Sequence, residues 1–549
     1  MTLDAPAALG PSAHVDTFCR DNLPPQHLWP EFVFDLPDVH YPARLNCAVD
    51  LLDGVIDRLG ADRPCLRTPA GDVWSYGQTQ RTVNRIANVL TGDLGIVPGN
   101  RVLLRGPNNP WLAACWLAVL KAGAVVVTTM PLLRAAELSA VAEIGRIDLA
   151  LCDARFLDDL RQAQLGGAPV VTYGGSDPAD LAVRITDAAD EFAAVDTSAD
   201  DVAMLAFTSG TTGRPKATMH FHRDVLAICD TFSKYVLKPT PDDVFTGTPP
   251  LGFTFGLGGL LVFPLRVGAS TLLVEKATPD ELADVIERHR VTICVTAPTA
   301  YRAMLRSGRP ERLRSLRRAL SAGEPLPEST WRDFHEATGV RLIDGIGSTE
   351  MLHVFVSAAD DDIRPGATGK AVPGYQAKVV DEQGRSVPPG TAGRLAVKGP
   401  TGCRYLADER QTVYVQDGWN ITGDTFVEDD DGYLHFQARN DDMIISSGYN
   451  IAGPEVEAAL LAHPDVAECC VVGVPDPDRG NLVKAYVVLR EGMHGSDELV
   501  KQLQDFTKQR IAPYKYPRAV EFIDELPRGA TGKVQRFRLR RQAEHAEQA

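Results

Sequence analysis

Short apolar runs and helix-spaced stretches alternate along the chain as far as about residue 365. The runs Arg101 to Leu104, Ala124 to Thr128, Leu149 to Cys152 and Val170 to Thr172 are unbroken rather than alternating. Between or before them lie amphipathic stretches such as Asn84 to Leu94 and Asn109 to Lys121. Strands covered on both faces read as continuous apolar text, so this rhythm predicts a parallel sheet between two helical layers. It returns beyond residue 200. Strands are expected at Val202 to Phe207, Ser270 to Leu273, Val291 to Val295, Ala319 to Ser321 and Leu342 to Asp344. Helices are expected at Pro279 to Arg290, Pro298 to Arg306 and Pro327 to Thr338. From about 367 to 438, Gly and Pro become frequent and short runs such as Arg394 to Lys398 alternate, which suits a small antiparallel barrel or sheet. Beyond Arg439 a further unit carries strands at Cys469 to Val474 and Lys484 to Leu489, with helices at Pro454 to Leu461 and Ser496 to Arg510.

The expected fold class is therefore α/β plus α+β. A large N-terminal domain, 1–438, holds two doubly wound α/β subdomains (about 1–197 and 198–366) and a small β-barrel (367–438). A small α+β domain, 439–549, follows. Residues 1–45, rich in Pro and aromatics, are expected to wrap an outer face.

Composition narrows the function. The chain has 549 residues, 44% hydrophobic and 23% charged, which suits a globular multidomain protein rather than a disordered one. A formal net charge of −16 argues against a nucleic-acid partner. The ten cysteines are scattered without a CxxC pair, which fits a reducing compartment and no zinc ribbon. The N-terminus lacks a basic segment before an apolar run, and the apolar stretch Gly256 to Leu265 is short and contains Pro264. A soluble cytoplasmic protein with no membrane partner is expected.

The strongest chemical signal is Phe207-Thr208-Ser209-Gly210-Thr211-Thr212-Gly213-Arg214-Pro215-Lys216, directly after an apolar strand. Glycines admit phosphate oxygens to the backbone N–H groups, and hydroxyls and Lys216 add donors. The spacing is not that of a Walker A loop, and Pro215 disfavours a helix before the lysine. The string resembles the phosphate loop of the acyl-adenylate-forming superfamily, which includes acyl-CoA synthetases, peptide-synthetase adenylation domains and firefly luciferase. Further motifs follow in that superfamily's order, over roughly residues 45 to 541. Ser321-Ala322-Gly323-Glu324-Pro325 resembles the adenine-side loop. Asp344-Gly345-Ile346-Gly347-Ser348-Thr349-Glu350 resembles the motif whose Thr contacts the AMP phosphate and whose Glu binds magnesium. Asp417-Gly418-Trp419 with Thr422-Gly423-Asp424 resembles the ribose motif.

In the last domain, Arg439-Asn440-Asp441-Asp442 resembles the hinge, with Asp441 the pivot of a mobile domain and Arg439 at the ribose end. Pro527-Arg528-Gly529-Ala530-Thr531-Gly532-Lys533 resembles the loop carrying the catalytic lysine. Ser447-Gly448-Tyr449 resembles the wall of the pantetheine tunnel. The resemblance implies ATP, Mg2+ and coenzyme A as cofactors, with Glu350 as the metal ligand. Activating a carboxylate with ATP brings two anions together, so Lys216, a magnesium ion on Glu350, and Lys533 would offset the repulsion.

Many relatives carry an aromatic residue where this chain has Ile346. The form Asp344 to His353 resembles benzoate-type aryl-CoA ligases, in which His353 would lie beside the acid. Thr254, Phe255 and Gly256, from Leu251-Gly252-Phe253-Thr254-Phe255-Gly256-Leu257-Gly258-Gly259, are expected to line the acyl pocket with Ala322, Gly347 and His353. No Asp is available there to pair an α-ammonium, and Phe, Thr and Gly suit a flat ring. His220-Phe221-His222-Arg223-Asp224-Val225, with Pro249-Pro250-Leu251, most resembles 2-aminobenzoate-CoA ligases. His220 and His222 have no third ligand close in sequence and are expected to be structural rather than metal-binding.

The resulting expectation is an ATP-dependent aryl-acid:CoA ligase acting through aryl-AMP on 2-aminobenzoate, as a monomer or homodimer. The alternatives are a benzoate- or hydroxybenzoate-CoA ligase, a stand-alone enzyme loading a carrier-protein phosphopantetheine, and a non-catalytic AMP sensor. Glu350 and Lys533 argue against the sensor.

Overall fold

The computed structural model describes residues 9–208, 215–439, 442–446, 449–476, 480–511, 515–529 and 533–548. Two large sheets dominate the first 371 residues. In the first, the order is Val170–Tyr173, Leu149–Asp153, Arg101–Arg105, Val125–Thr129, Val202–Thr208 and Lys216–Phe221. All neighbours are parallel except the last pair, an antiparallel hairpin. In the second sheet, Leu342–Gly347, Arg318–Ala322, Ile293–Thr296, Val244–Gly247, Ser270–Leu272 and Pro64–Arg67 run parallel, with antiparallel strands at both edges.

The sheets exchange chain across the boundary expected near residue 197. Val202–Thr208 and Lys216–Phe221 complete the first sheet, whereas Pro64–Arg67 and Val73–Ser75 belong to the second. Pairing Leu66 and Arg67 with Thr271 and Leu272 covers what would otherwise be a bare sheet edge. One continuous core takes residues from both sheets, including Val126, Phe245 and Ile293. Helix Pro110–Lys121 contributes to that core throughout its length. Its N-cap Asn109 accepts from the Leu112 N–H, and its last residue, Lys121, is buried against Asp53 and Asn84 at 2.8 Å each.

Residues 376–439 form the expected antiparallel sheet, Gln376–Val380, Ala392–Lys398, Trp419–Glu428 and Val415–Gln416, with Leu434–Arg439 paired to Trp419–Glu428. The N-terminal segment runs along this sheet, where Phe32 bridges Gly399 and the Glu31 N–H donates to the Gly418 carbonyl at 2.9 Å. Beyond it, Val466–Asp476 and Gly480–Leu489 form an antiparallel pair with Ala519–Phe522 parallel at its edge. The strand period of two divides Val466–Asp476 between two cores. Val471 faces Val456, Leu460 and Leu503, while Cys470, Val472 and Val474 face Leu539 and Ala543.

The stretch Gly256 to Leu265 is packed into the main core, and among the described residues no helix is long and apolar enough to cross a membrane. All ten cysteines are free thiols and nine are buried.

Burial lowers the imidazoles of His220, His222 and His353 to about 3, so each is neutral in the folded chain. Each takes up a proton on unfolding below its ordinary value of 6.5, so folding stability falls as the pH drops from there towards 3. Each should steepen the acid-side loss of stability by about 1.4 kcal/mol per pH unit. Urea midpoints at pH 7.5 and 5.5 should therefore differ, and His222→Gln should narrow the gap. An unchanged gap in His222→Gln would show that His222 titrates freely in the folded chain.

Candidate active site

The expected phosphate loop springs from the hairpin at the edge of the first sheet. Thr208 and Lys216 face each other across its base. Ser209, Gly210, Thr211, Thr212 and Gly213 lie outside the described residues. The Lys216 ammonium meets Glu350 Oε1 at 2.9 Å, and the Tyr405 hydroxyl donates to the same oxygen at 2.5 Å. Lys216 also donates to the Tyr405 hydroxyl and stands 4.4 Å from that ring's centre. Burial raises the Glu350 carboxyl, but the Lys216 charge and these hydrogen bonds outweigh it, holding Glu350 below the usual carboxylate range. The hydroxyls of Ser348 and Tyr414 are 3.0 Å apart, and the Thr349 carbonyl accepts from His220 Nε2 at 2.9 Å.

A single ionised carboxylate such as Glu350 suits magnesium, which takes one or two carboxylates and completes its shell with substrate phosphates and water. Among the described residues, no cluster of three or more His, Cys, Asp or Glu forms a separate metal site. His220 and His222 turn to different partners, His220 to the Thr349 carbonyl and His222 Nδ1 to Cys47 Sγ at 3.1 Å.

The adenine-side motifs end adjacent parallel strands, with Ser321 opposite Asp344 and Ala322 opposite Gly345. The carboxyl ends of parallel strands are where open α/β sheets bind ligands. Burial pushes the Asp344 carboxyl up to about 7, although the Gly345 N–H opposes it. Gly323, with φ of +90°, turns the chain into Glu324 and Pro325. A Cβ at Gly323 would stand 3.8 Å from Lys533 Cε, so the expected catalytic lysine reaches this loop. Lys533 is carried on a small hairpin, in which its carbonyl accepts from the Gly529 N–H at 2.8 Å. Arg528 at the hairpin's base lies 3.5 Å from Glu324 and 2.7 Å from Glu468. Asp424 is buried within strand Trp419–Glu428, opposite Arg439 in register, and the chain turns at Asp417 and Gly418, just before that strand.

On the acyl side, helix Thr254–Leu257 carries Thr254, Phe255 and Gly256. The loop before it is pinned by Asn108, which donates to the Pro249 carbonyl at 3.0 Å and accepts from the Leu251 N–H at 2.7 Å. His353 packs among Phe232, Phe255 and Phe263, with ring centres 5.4, 5.6 and 4.6 Å away. Neither ring nitrogen of His353 makes a well-formed hydrogen bond. A Cβ at Gly258 would collide with this imidazole. Gly347 and Gly256, expected to line the acyl pocket, both lie tight against neighbouring backbone. A Cβ at Gly347 would lie 2.6 Å from the His353 carbonyl oxygen, and one at Gly256 would strike the Pro250 carbonyl. Both glycines permit backbone to approach backbone. Ile346 packs half-buried against the main core, as an aliphatic residue at an aromatic-favoured position does. Ala322 is buried at the end of its strand.

Tyr405, Tyr414, Phe232, Phe263 and Gly258 join the site without having been singled out individually from the sequence. Gly258 alone lay in the quoted pocket stretch. Asp441, Ser447 and Gly448 lie outside the described residues, and the backbone of Tyr449 opens strand Tyr449–Ala452.

The AMP-binding enzyme family matches residues 56–405, and the AMP-binding enzyme C-terminal domain matches residues 455–533. A benzoate–CoA ligase of Thauera aromatica is 35% identical, covering 92% of this chain and 97% of the relative. A 3-hydroxybenzoate–CoA ligase of Aromatoleum sp. (strain CIB) is 34% identical, covering 90% and 96%. The crystal structure of an anthranilate CoA ligase in complex with anthranoyl-AMP superposes with a TM-score of 0.89 at 34% identity, covering 94% of this chain and all of that one. With two motif-bearing sheets, the nucleotide-end carboxylate–lysine pair and a C-terminal lysine reaching the adenine-side loop, the chain belongs to the AMP-binding enzyme family and is an AMP-forming acid–thiol ligase.

Proposed function

We propose that this ligase joins an aromatic acid to coenzyme A and that its preferred acid is 2-aminobenzoate. The observation that carries the reading is His353: a neutral imidazole enclosed by three phenylalanine rings, one of them on the acyl-side helix. Aromatic walls select a flat ring. An aniline amine is uncharged at neutral pH, so it needs a neutral acceptor rather than a carboxylate, and an imidazole nitrogen supplies one. The solved relative bound to anthranoyl-AMP supports the same choice.

In the first step a carboxylate oxygen attacks the α-phosphorus of ATP. The bond to the β-phosphate oxygen breaks, giving aryl-AMP and pyrophosphate. In the second, the thiol sulfur attacks the acyl carbon, AMP leaves with the carboxylate-derived oxygen, and the thiol proton passes to solvent. Lys216 and the loop after Thr208 hold the pyrophosphate end. Thr349 and Ser348 face the α-phosphate, Asp424 accepts from the ribose hydroxyls, and Asp344 lies on the adenine side. Magnesium held by Glu350 supplies charge neutralisation for the phosphates. Lys533, placed at Gly323, serves the first step by neutralising charge between carboxylate and α-phosphate. A rotation of 439–549 about Asp441 then withdraws Lys533 and presents Ser447, Gly448 and Tyr449 to the pantetheine arm, as lid and domain movements do in many enzymes.

The relatives named for benzoate and 3-hydroxybenzoate favour a second reading, with the same chemistry on an acid lacking the amine. A panel of 2-aminobenzoate, benzoate and 3-hydroxybenzoate separates them. The amine contact should raise kcat/KM for 2-aminobenzoate about tenfold or more over benzoate. Equal or better turnover of benzoate would remove the amine contact while leaving an aryl-CoA ligase.

Gly258→Ala should displace His353, raising KM for the acid about tenfold while the KM for ATP stays within about twofold. Parallel losses for both substrates would take His353 out of the acid site. Lys533→Ala should cut acid-dependent pyrophosphate exchange by about 100-fold or more, yet leave aryl-CoA formation from synthetic aryl-AMP within about threefold of the wild type. Exchange near the wild-type rate would refute the role of Lys533.

A further inference from the structure

We propose that Tyr405 is a positioning residue for adenylation, its phenol holding the Glu350 carboxylate and the Lys216 ammonium at the pyrophosphate end of the site. The proposal rests on the reading of this site as an adenylating centre. The phenol donates to Glu350 Oε1 at 2.5 Å, and Lys216 lies 2.9 Å from that oxygen and within hydrogen-bond reach of the phenol oxygen. Glu350, Lys216 and Tyr405 thus form one closed triangle, although 55 positions separate Glu350 from Tyr405 and 189 separate Lys216 from it.

The backbone around Tyr405 is built to stay in place. Its N–H donates to Gln411 Oε1 at 2.8 Å, and the Gln411 amide donates to the Leu28 and Cys403 carbonyls at 2.8 and 3.1 Å. On either side, the Leu406 N–H donates to Ala217 at 2.9 Å, and the Met219 N–H donates to Arg404 at 2.8 Å. These bonds stitch the segment to strand Lys216–Phe221, so Tyr405 and Lys216 share one rigid base. Arg404 is fully buried and donates to the equally buried Asp224, a pairing that fixes the residue preceding Tyr405. The edge of Tyr414 closes on the Tyr405 ring, with centres 5.9 Å apart.

The arrangement answers a problem that the reaction poses. When ATP enters, Lys216 must serve phosphate oxygens, and a buried carboxylate that loses its lysine partner is costly. A fixed phenolic O–H keeps Glu350 hydrogen-bonded and oriented while Lys216 turns to the nucleotide. The phenol is a neutral donor at physiological pH, so it does this without adding charge to an anionic site.

Tyr405→Phe removes the donor and keeps the ring that faces Lys216. The loss of a hydrogen bond to a charged group should lower acid-dependent pyrophosphate exchange about 10- to 100-fold. Binding of Mn2+ to the complex with a non-reacting ATP analogue, followed by electron paramagnetic resonance, should weaken in parallel. Aryl-CoA formation from synthetic aryl-AMP should stay within about threefold of the wild type. Tyr375→Phe is the comparator. It removes a buried hydroxyl paired with Thr401 Oγ1 at 2.9 Å in the same region and should change neither half-reaction selectively.

Exchange and Mn2+ binding within about twofold of the wild type would overturn the proposal, and so would equal losses in both half-reactions with a lowered melting temperature. A wild-type enzyme without any acid-dependent exchange would instead defeat the adenylation reading itself.

Discussion

The contact between Lys216 and Glu350 joins parts of the fold that have little else in common. Lys216 begins the edge strand of the first sheet, and Glu350 follows a strand of the second. Tyr405, from the segment after Ala392–Lys398 of the antiparallel sheet, completes the contact. A buried ion pair contributes little net stability, because desolvation offsets most of its attraction. Its value here is placement. The pair sits at the base of the hairpin that leads into the expected phosphate loop, and in the proposed reading its opposite charges serve a polyanion and a divalent cation. A second link across the same junction, His220 Nε2 to the Thr349 carbonyl, holds the turn that presents Glu350.

The acyl side follows a different physical rule. It is aromatic and neutral, and its shape comes from glycines that let segments approach. Gly256 lets its helix lie on the Pro250 carbonyl, Gly347 lets its strand lie on His353, and Gly258 leaves room for the imidazole. Asn108, at the carboxyl end of a first-sheet strand, ties down the loop that precedes this helix. In the proposed reading the acid and the nucleotide meet at the junction of the two sheets, which has a polar end governed by charge and an apolar end governed by packing. Lys533 enters from the last part of the chain beside Gly323, supported by the Arg528 contacts to Glu324 and Glu468.

Much of this architecture was legible because parallel strands buried on both faces leave unbroken apolar runs. Arg101–Arg105, Leu149–Asp153 and Arg318–Ala322 stand within a residue or so of their sequence expectation. Pro64–Arg67 and Val73–Ser75 were not legible: they are short and partly polar, and they join the second sheet only through the pairing of Pro64–Arg67 with Ser270–Leu272, some two hundred residues away. The nucleotide motifs were legible as strings because each is local to one loop. Tyr405 was not, because Gly402-Cys403-Arg404-Tyr405-Leu406 reads as ordinary core text and acquires meaning only through two distant partners. Gly347 and Gly256 show the converse. Their position in motifs suggested that they line the acyl pocket, and the structure adds that a carbonyl lies where a side chain would be. Asp424, expected in the ribose motif, lies within a strand rather than in a loop of its own, a placement that the string Thr422-Gly423-Asp424 does not announce.

The central claim is that the acid is activated by attack of its own carboxylate oxygen on the α-phosphate. Turning over 2-aminobenzoate labelled with 18O in the carboxylate, and analysing AMP and pyrophosphate by mass spectrometry, tests this atom by atom. The account predicts one labelled oxygen in each AMP, none in pyrophosphate, and the other retained in the thioester carbonyl. Label in pyrophosphate, or AMP without label, would contradict it.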